Sequence, residues 1–334
     1  MLAVLVFGVM ILIHEAGHFL AARLCGVKVY EFALGMGPRI FGWRGKGGTN
    51  YNIRLFPIGG FVSMKGEDED AEGDDSFSNK SAWKRFVIVA AGAFMNIILG
   101  IIITFSLVIS STLGSTVVAE FTEGATSSAW LMTGDEIIAV NGSVVHTATE
   151  LSYEILHDGY KAIDITVIRN GEKVELSGVT FPTLSASGML YGATDFRVFA
   201  EEKDVLSVLK HTFFRSVSTV KMIYESLVDL VIGRVGMDAV SGPVGAAGAI
   251  TEAARTGAEQ FFYLVSILTM NLGVFNILPL PALDGGRLLF ILFEMIFRKK
   301  VPARFEGAVH FVGIVILLGF MVLITFKDVV SLFS

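Results

Sequence analysis

The chain has 334 residues, 53% of them hydrophobic and only 17% charged, with a mean hydropathy of +0.64. Ordinary soluble domains carry about 25% charged residues, so this composition points away from them and toward a membrane protein. A net charge of −6 with no basic stripe argues against a nucleic-acid partner, and the single cysteine, Cys25, can form neither an internal disulfide nor a cysteine-based metal site.

A bilayer-spanning helix needs about 20 apolar residues. The first such stretch runs from Met1 to about Leu24. It lacks the basic start and small-residue cleavage site of a signal peptide, so it reads as retained. His14-Glu15-Ala16-Gly17-His18 interrupts it as an H-E-x-x-H motif. On a helix, residues four apart share a face, so two imidazoles can hold one zinc ion while the intervening glutamate serves as base. Ionisable groups inside an apolar span are rare and mark function. The bland alternative is a chance match.

A glycine-rich segment follows, from Gly35 to Phe61, with alternating stretches such as Tyr51 to Leu55 suited to a hairpin. It reads either as an ordinary loop or as an edge to which an extended peptide could add. The second predicted span, Phe86 to about Leu113, has no charged residue.

Within the long segment from about Ser115 to Gly257, Gly134 to Gly142 is an alternating strand ending in Asn141-Gly142, and Ile163 to Arg169, Asn170-Gly171 and Lys173 to Leu176 make a hairpin. This pattern resembles a PDZ domain over residues 115–185. Val205 to Ile232 spaces its apolar residues at helical period and predicts an amphipathic helix on the membrane surface or against the bundle.

The third predicted span, Gln260 to Leu283, contains Asn276-Ile277-Leu278-Pro279-Leu280-Pro281-Ala282-Leu283 and is closed by Asp284. Alone, Asp284 reads either as an interfacial carboxylate at a helix end or as the third protein ligand that a catalytic zinc requires. The prolines break the helix, and irregular backbone at membrane depth belongs where it lines a cavity, which favours a site. The following loop carries Arg287, Arg298, Lys299, Lys300 and Arg304, and such loops stay cytoplasmic. Residues 23–85 are also rich in lysine and arginine, partly masked by the acidic run Glu67 to Asp75, and acids count for little in this rule. Both termini and the long segment are therefore expected outside, with the active site near the cytoplasmic side. The fourth predicted span, Gly307 to Phe326, contains only His310 as an ionisable residue.

An HExxH in the first span, an N-x-x-P-x-P-x-L-D-G-G in a later one and a PDZ pattern between them resemble the site-2 protease family of intramembrane zinc metalloproteases, specifically the bacterial regulator-of-sigma-E protease type with a single PDZ. The resemblance covers nearly the whole chain. It includes Phe32-Ala33-Leu34-Gly35-Met36-Gly37-Pro38, Phe77 to Arg85, Ser241-Gly242-Pro243-Val244-Gly245, and Ala90-Ala91-Gly92-Ala93-Phe94-Met95-Asn96, where Ala93 replaces the family's usual proline. It implies that His14, His18 and Asp284 hold Zn2+ and that Glu15 is the general base. It further implies that Asn276 hydrogen-bonds the substrate backbone and that Gly35 and Gly37 lie on a membrane-reentrant β-loop presenting an edge strand; Asn96 is left without a role.

The implied fold is a mainly α membrane protein with four transmembrane helices, a reentrant β-hairpin and an inserted α+β PDZ domain. Its parts are residues 1–114, the PDZ at 115–185, an amphipathic helix and linker at 186–257, and the last two spans at 258–334. The implied substrates are single-span membrane proteins already cut outside the membrane, such as anti-sigma factors or remnant signal peptides, and the implied location is a bacterial plasma membrane. Two rivals remain at this stage. One is an ion or proton transporter using His14, Glu15, His18, His310 and Asp284, for which the sequence has no inverted repeat. The other is an inactive PDZ scaffold, which would have no use for an intact HExxH.

Overall fold

A computed structural model describes residues 1–67, 71–186, 189–236 and 240–331. The chain divides into two compact units, residues 1–100 with 241–334, and residues 101–240. The division falls within a helix.

The first unit opens with helix α1 (Leu2–Leu24). Gly26, at φ 72, takes the left-handed conformation after it, and the chain turns into β1 (Val29–Arg44) and β2 (Asn50–Met64). Their pairing folds back on itself. Val29–Leu34 pairs with Gly60–Met64 on one side and, over Glu31–Leu34, with Asn50–Ile53 on the other; Arg39–Arg44 then pairs with Asn50–Arg54. The segments 60–64 and 39–44 are thus the outer rows. Positive φ at Gly35 (86), Gly37 (85) and Gly59 (81) lets the strands bend between rows. Met36, Ile40, Phe41, Trp43, Ile53 and Phe56 are exposed, leaving this sheet with an apolar surface.

Helix α2 (Ala82–Ser110) follows, and its Ile88, Val89 and Ala90 pack in one core with Ala21, Ala22, Val29 and Val62. After the inserted unit come α5 (Pro243–Thr256), α6 (Ala258–Ile277), α7 (Asp284–Phe297) and α8 (Ala303–Ser331). Among the described residues, four helices are long and apolar enough to cross a membrane: α1, α2, α6 and residues 304–330 of α8. The Asp328 carboxylate on α8 accepts the N–H groups of Gly242 at 2.9 Å and Gly245 at 2.8 Å, capping α5 from a distant part of the chain.

Two expectations need correction. The third helix ends at Ile277, because Leu278 turns extended before Pro279, and residues 278–283 are not helical. Asp284 therefore opens a new helix and does not close the span. What reads in sequence as a basic loop contains that helix, α7, whose 14 residues reach about 21 Å and cannot cross a bilayer.

The second unit holds a sheet in the order β10 (Phe196–Ala200), β3 (Gly114–Phe121), β4 (Glu136–Val140), β6 (Ile163–Arg169), β7 (Glu172–Val179), with β5 (Ser143–Val144) paired to β4 and a separate hairpin of β8 (Thr183–Ala186) and β9 (Met189–Gly192). The turns read from Asn-Gly have positive φ at both residues, 46 and 80 for Asn141-Gly142 and 54 and 82 for Asn170-Gly171, the geometry that suits tight hairpins. Alternation along β6 buries Ile163, Ile165 and Val167, which meet Leu151 and Ile155 of α3 (Ala148–Asp158) in the core. The sheet runs past residue 185, since β10 pairs with β3. Helix α4 (Val205–Val231) turns a polar face to α3: Lys221 pairs with Glu154, the Tyr153 hydroxyl donates to Glu225, and His157 Nε2 lies 3.2 Å from Asp229. Its other face exposes Leu209, Phe213, Val217, Tyr224 and Val228.

Candidate active site

One turn of α1 separates His14 from His18, so both rings leave the same face of the helix. Their Nε2 atoms are 3.2 Å apart, and Asp284 Oδ2 lies 3.1 Å from the first and 3.2 Å from the second. Three ligand atoms from two stretches 266 positions apart in sequence thus form a nearly equilateral triangle.

The chemistry of the donors says what belongs at its centre. His18 Nδ1 lies 2.9 Å from the Ile88 carbonyl, which can only accept, so that nitrogen carries the proton. A neutral His18 then turns a lone pair, not a proton, toward Asp284. Asp284 Oδ2 is correspondingly buried with no hydrogen bond of sound geometry. Lone pairs facing one another at 3.2 Å call for a cation between them. In a tetrahedral zinc site with ligands at 2.0–2.2 Å, neighbouring ligand atoms stand about 3.4 Å apart. The observed triangle fits that ion, with a fourth position left for water or substrate.

Local sequence explains how the triangle is built. Gly17, inside the HExxH, leaves no room for a side chain, because an added Cβ would meet the backbone of Ala91 and Gly92 on α2. Gly92 is its counterpart: a Cβ there would run into His18 Nε2 and come within 2.9 Å of His14 Cε1. Asp284 is aimed by the turn before α7. Ala282 sits at φ 79, its N–H donating to His310 Nδ1 of α8 at 3.2 Å, and Gly313 of α8 packs against Pro281. His310, a relay candidate in the transporter reading, buttresses the turn that carries Asp284.

A cavity of about 180 Å3 opens onto the triangle, lined by Glu15, Phe61, Val62, Met64, Val89 and the ligand residues, and rimmed by Glu67 and Arg287, which pair at 2.6 Å. Glu15 shares it with His14 and His18. The outer row of β2 forms one wall, and Gly60 lies against α1 so closely that an added Cβ would come 3.2 Å from Glu15 Cγ and from Ile11.

The remaining residues from the sequence reading stand elsewhere. Asn276 is nearly buried and donates its amide to Leu272 of its own helix at 2.9 Å. Gly35 and Gly37 lie against Phe56 at the bend of the sheet. Gly92, Glu67, Arg287 and the Ile88 carbonyl went unread as parts of the site. A backbone carbonyl has no sequence signal at all, and the importance of Gly92 appears only once α2 is seen behind the two histidines.

Comparison with known proteins agrees with this chemistry. The profile described as Peptidase family M50 matches residues 2–320. A Clostridium perfringens protein named as a zinc metalloprotease is 35% identical over 330 residues, covering 98% of this chain and 97% of that one. A Campylobacter jejuni protein of the same name is 32% identical, covering 98% and 92% respectively. The Bacillus subtilis regulator of sigma-W protease RasP is 28% identical over 415 residues, covering 99% and 98%. Matched along almost its whole length, the chain belongs to peptidase family M50, the site-2 proteases, and is a zinc metalloprotease of the multi-pass membrane kind.

Proposed function

We propose that His14, His18 and Asp284 hold the zinc and that the protein hydrolyses peptide bonds in single-span membrane proteins already trimmed outside the membrane. The observation that carries this reading is the triangle of 3.1–3.2 Å between an apolar helix, α1, and the first residue of α7, facing a cavity walled by a β-row.

A zinc ion held by His14, His18 and Asp284 would supply the Lewis acidity that polarises a scissile carbonyl and eases deprotonation of water. Glu15, in the same cavity, takes the proton from the attacking water and returns it to the leaving amine. The Gly60–Met64 row has strand partners on one side only among the described residues, so an unwound substrate can add to its free edge beside the metal, satisfying backbone groups that lipid cannot. Asn276 would hydrogen-bond the substrate backbone, and Gly35 and Gly37 would lie on the loop that presents the edge strand. The exposed apolar surface of β1 and β2 supports a hairpin that dips into the bilayer, since water would disfavour it.

The second unit fits a PDZ-like domain outside the membrane, and the apolar stripe of α4 supports a helix lying on the membrane surface. Basic residues near α7 and α8 support a cytoplasmic side for that end of the site in a bacterial plasma membrane. The name of the Bacillus relative, a regulator of a sigma factor, supports anti-sigma factors as one substrate class; remnant signal peptides are the other.

The test is cleavage of a model single-span substrate by the purified full chain, with and without a zinc chelator. Chelation abolishes cleavage and added zinc restores it; cleavage that survives full metal removal contradicts the proposal.

A further inference from the structure

We infer that Asn96 is the positioning residue for His14, its side-chain oxygen accepting the His14 Nδ1 proton and keeping the Nε2 lone pair aimed at the metal. This rests on the metal reading above. Asn96 is fully buried at 0% exposure, in a span where an amide must find a partner. Its amide stands 3.3 Å from His14 Nδ1.

Because His14 Nε2 is the nitrogen facing Asp284 and His18, a metal-binding His14 must carry its proton on Nδ1, and that proton needs an acceptor. With the amide nitrogen toward His14 the two groups would meet donor to donor, while Asn96 Oδ1 lies buried with no partner. Turning the amide through 180° costs no space and brings oxygen to the ring. Zinc binding and amide orientation are thus coupled.

The arrangement repeats along one stripe of α2. Ile88, Gly92 and Asn96 are spaced by four and share a face. The Ile88 carbonyl fixes His18, Gly92 makes room for both rings, and Asn96 fixes His14. The second span is the back wall of the metal site, setting the tautomer of each histidine.

The competing role is plain helix packing, and two substitutions separate it. Asn96→Leu keeps the volume and removes the acceptor; Asn96→Asp keeps an acceptor. Zinc affinity of the full chain in detergent is read by competition with a chromophoric chelator, and thermal stability is read on the zinc-free form. Asn96→Leu should weaken zinc binding about 10- to 100-fold with little change in zinc-free stability, and Asn96→Asp should hold zinc close to the wild-type affinity.

Equal affinity for Asn96→Leu and wild type overturns the inference, as does an equal loss in both variants. If Asn96→Leu does not fold, 15N-histidine NMR of the zinc-loaded wild type decides, with His14 assigned by its disappearance in His14→Ala. An Nδ1 proton shifted downfield by a hydrogen bond supports the inference; an Nδ1 proton at the position of an unbonded imidazole, or zinc on Nδ1, overturns it. A wild type that binds no zinc defeats the metal reading itself, and this inference with it.

Discussion

At the scale of single residues, the histidines, Glu15 and Asp284 were legible in the sequence because ionisable groups inside apolar stretches stand out. What held them was not legible, because glycines and carbonyls carry no charge to betray them. Glu15→Gln should lower the cleavage rate by about 10²- to 10⁴-fold while leaving zinc bound, measured by turnover and metal content of the same preparation. Full activity in that variant removes Glu15 from the chemistry. Gly92→Ala makes a sharper test of the packing. Alanine favours an isolated helix by about 1 kcal/mol over glycine, yet here its methyl group falls on His18 Nε2. Zinc affinity should drop at least about tenfold without a matching loss of helicity; undisturbed affinity means the rings do not sit against α2.

Among the elements, the spans and hairpin turns were readable from apolar length and Asn-Gly pairs. The break at Ile277 was not placed, although both prolines were seen, because apolar run length alone does not say where a helix stops. Helix α7 was hidden by its flanking arginines and lysines, which made an amphipathic helix look like a loop. In the sheet domain, Asp135 is buried and takes two hydrogen bonds from Arg169, both at 2.7 Å, and one from the Met132 N–H at 2.8 Å. Burial pushes its carboxyl up, but these hydrogen bonds and the guanidinium charge outweigh it and hold the group below the usual carboxylate range. A lowered folded pKa stabilises the domain above the unfolded value near 4, and that stability is lost as pH falls through the folded pKa. Asp135→Asn should lower the stability of the second unit by about 3 kcal/mol at pH 7, with the gap to wild type closing in acid, as followed by thermal melts across pH. A gap that stays constant down to strongly acid pH contradicts the assignment.

For the whole molecule, the site lies entirely in one unit, and an independent sheet domain is inserted between its second and third spans. If that domain screens substrates, replacing residues 114–200, the full extent of the sheet, with a short linker should let untrimmed single-span proteins be cut, scored by gel mobility of paired long and short substrates. An unchanged substrate range argues against screening. Sequence could identify the inserted domain from its turns but not its extent, because β10 pairs with β3 across more than 70 intervening residues.

The account stands on one ion joining the first span to the start of α7. Elemental analysis of the purified, folded chain should find one zinc per molecule, retained in Glu15→Gln and largely lost on dialysis of Asp284→Ala. Folded wild-type protein without zinc, or an Asp284→Ala variant that keeps its full complement, would contradict it.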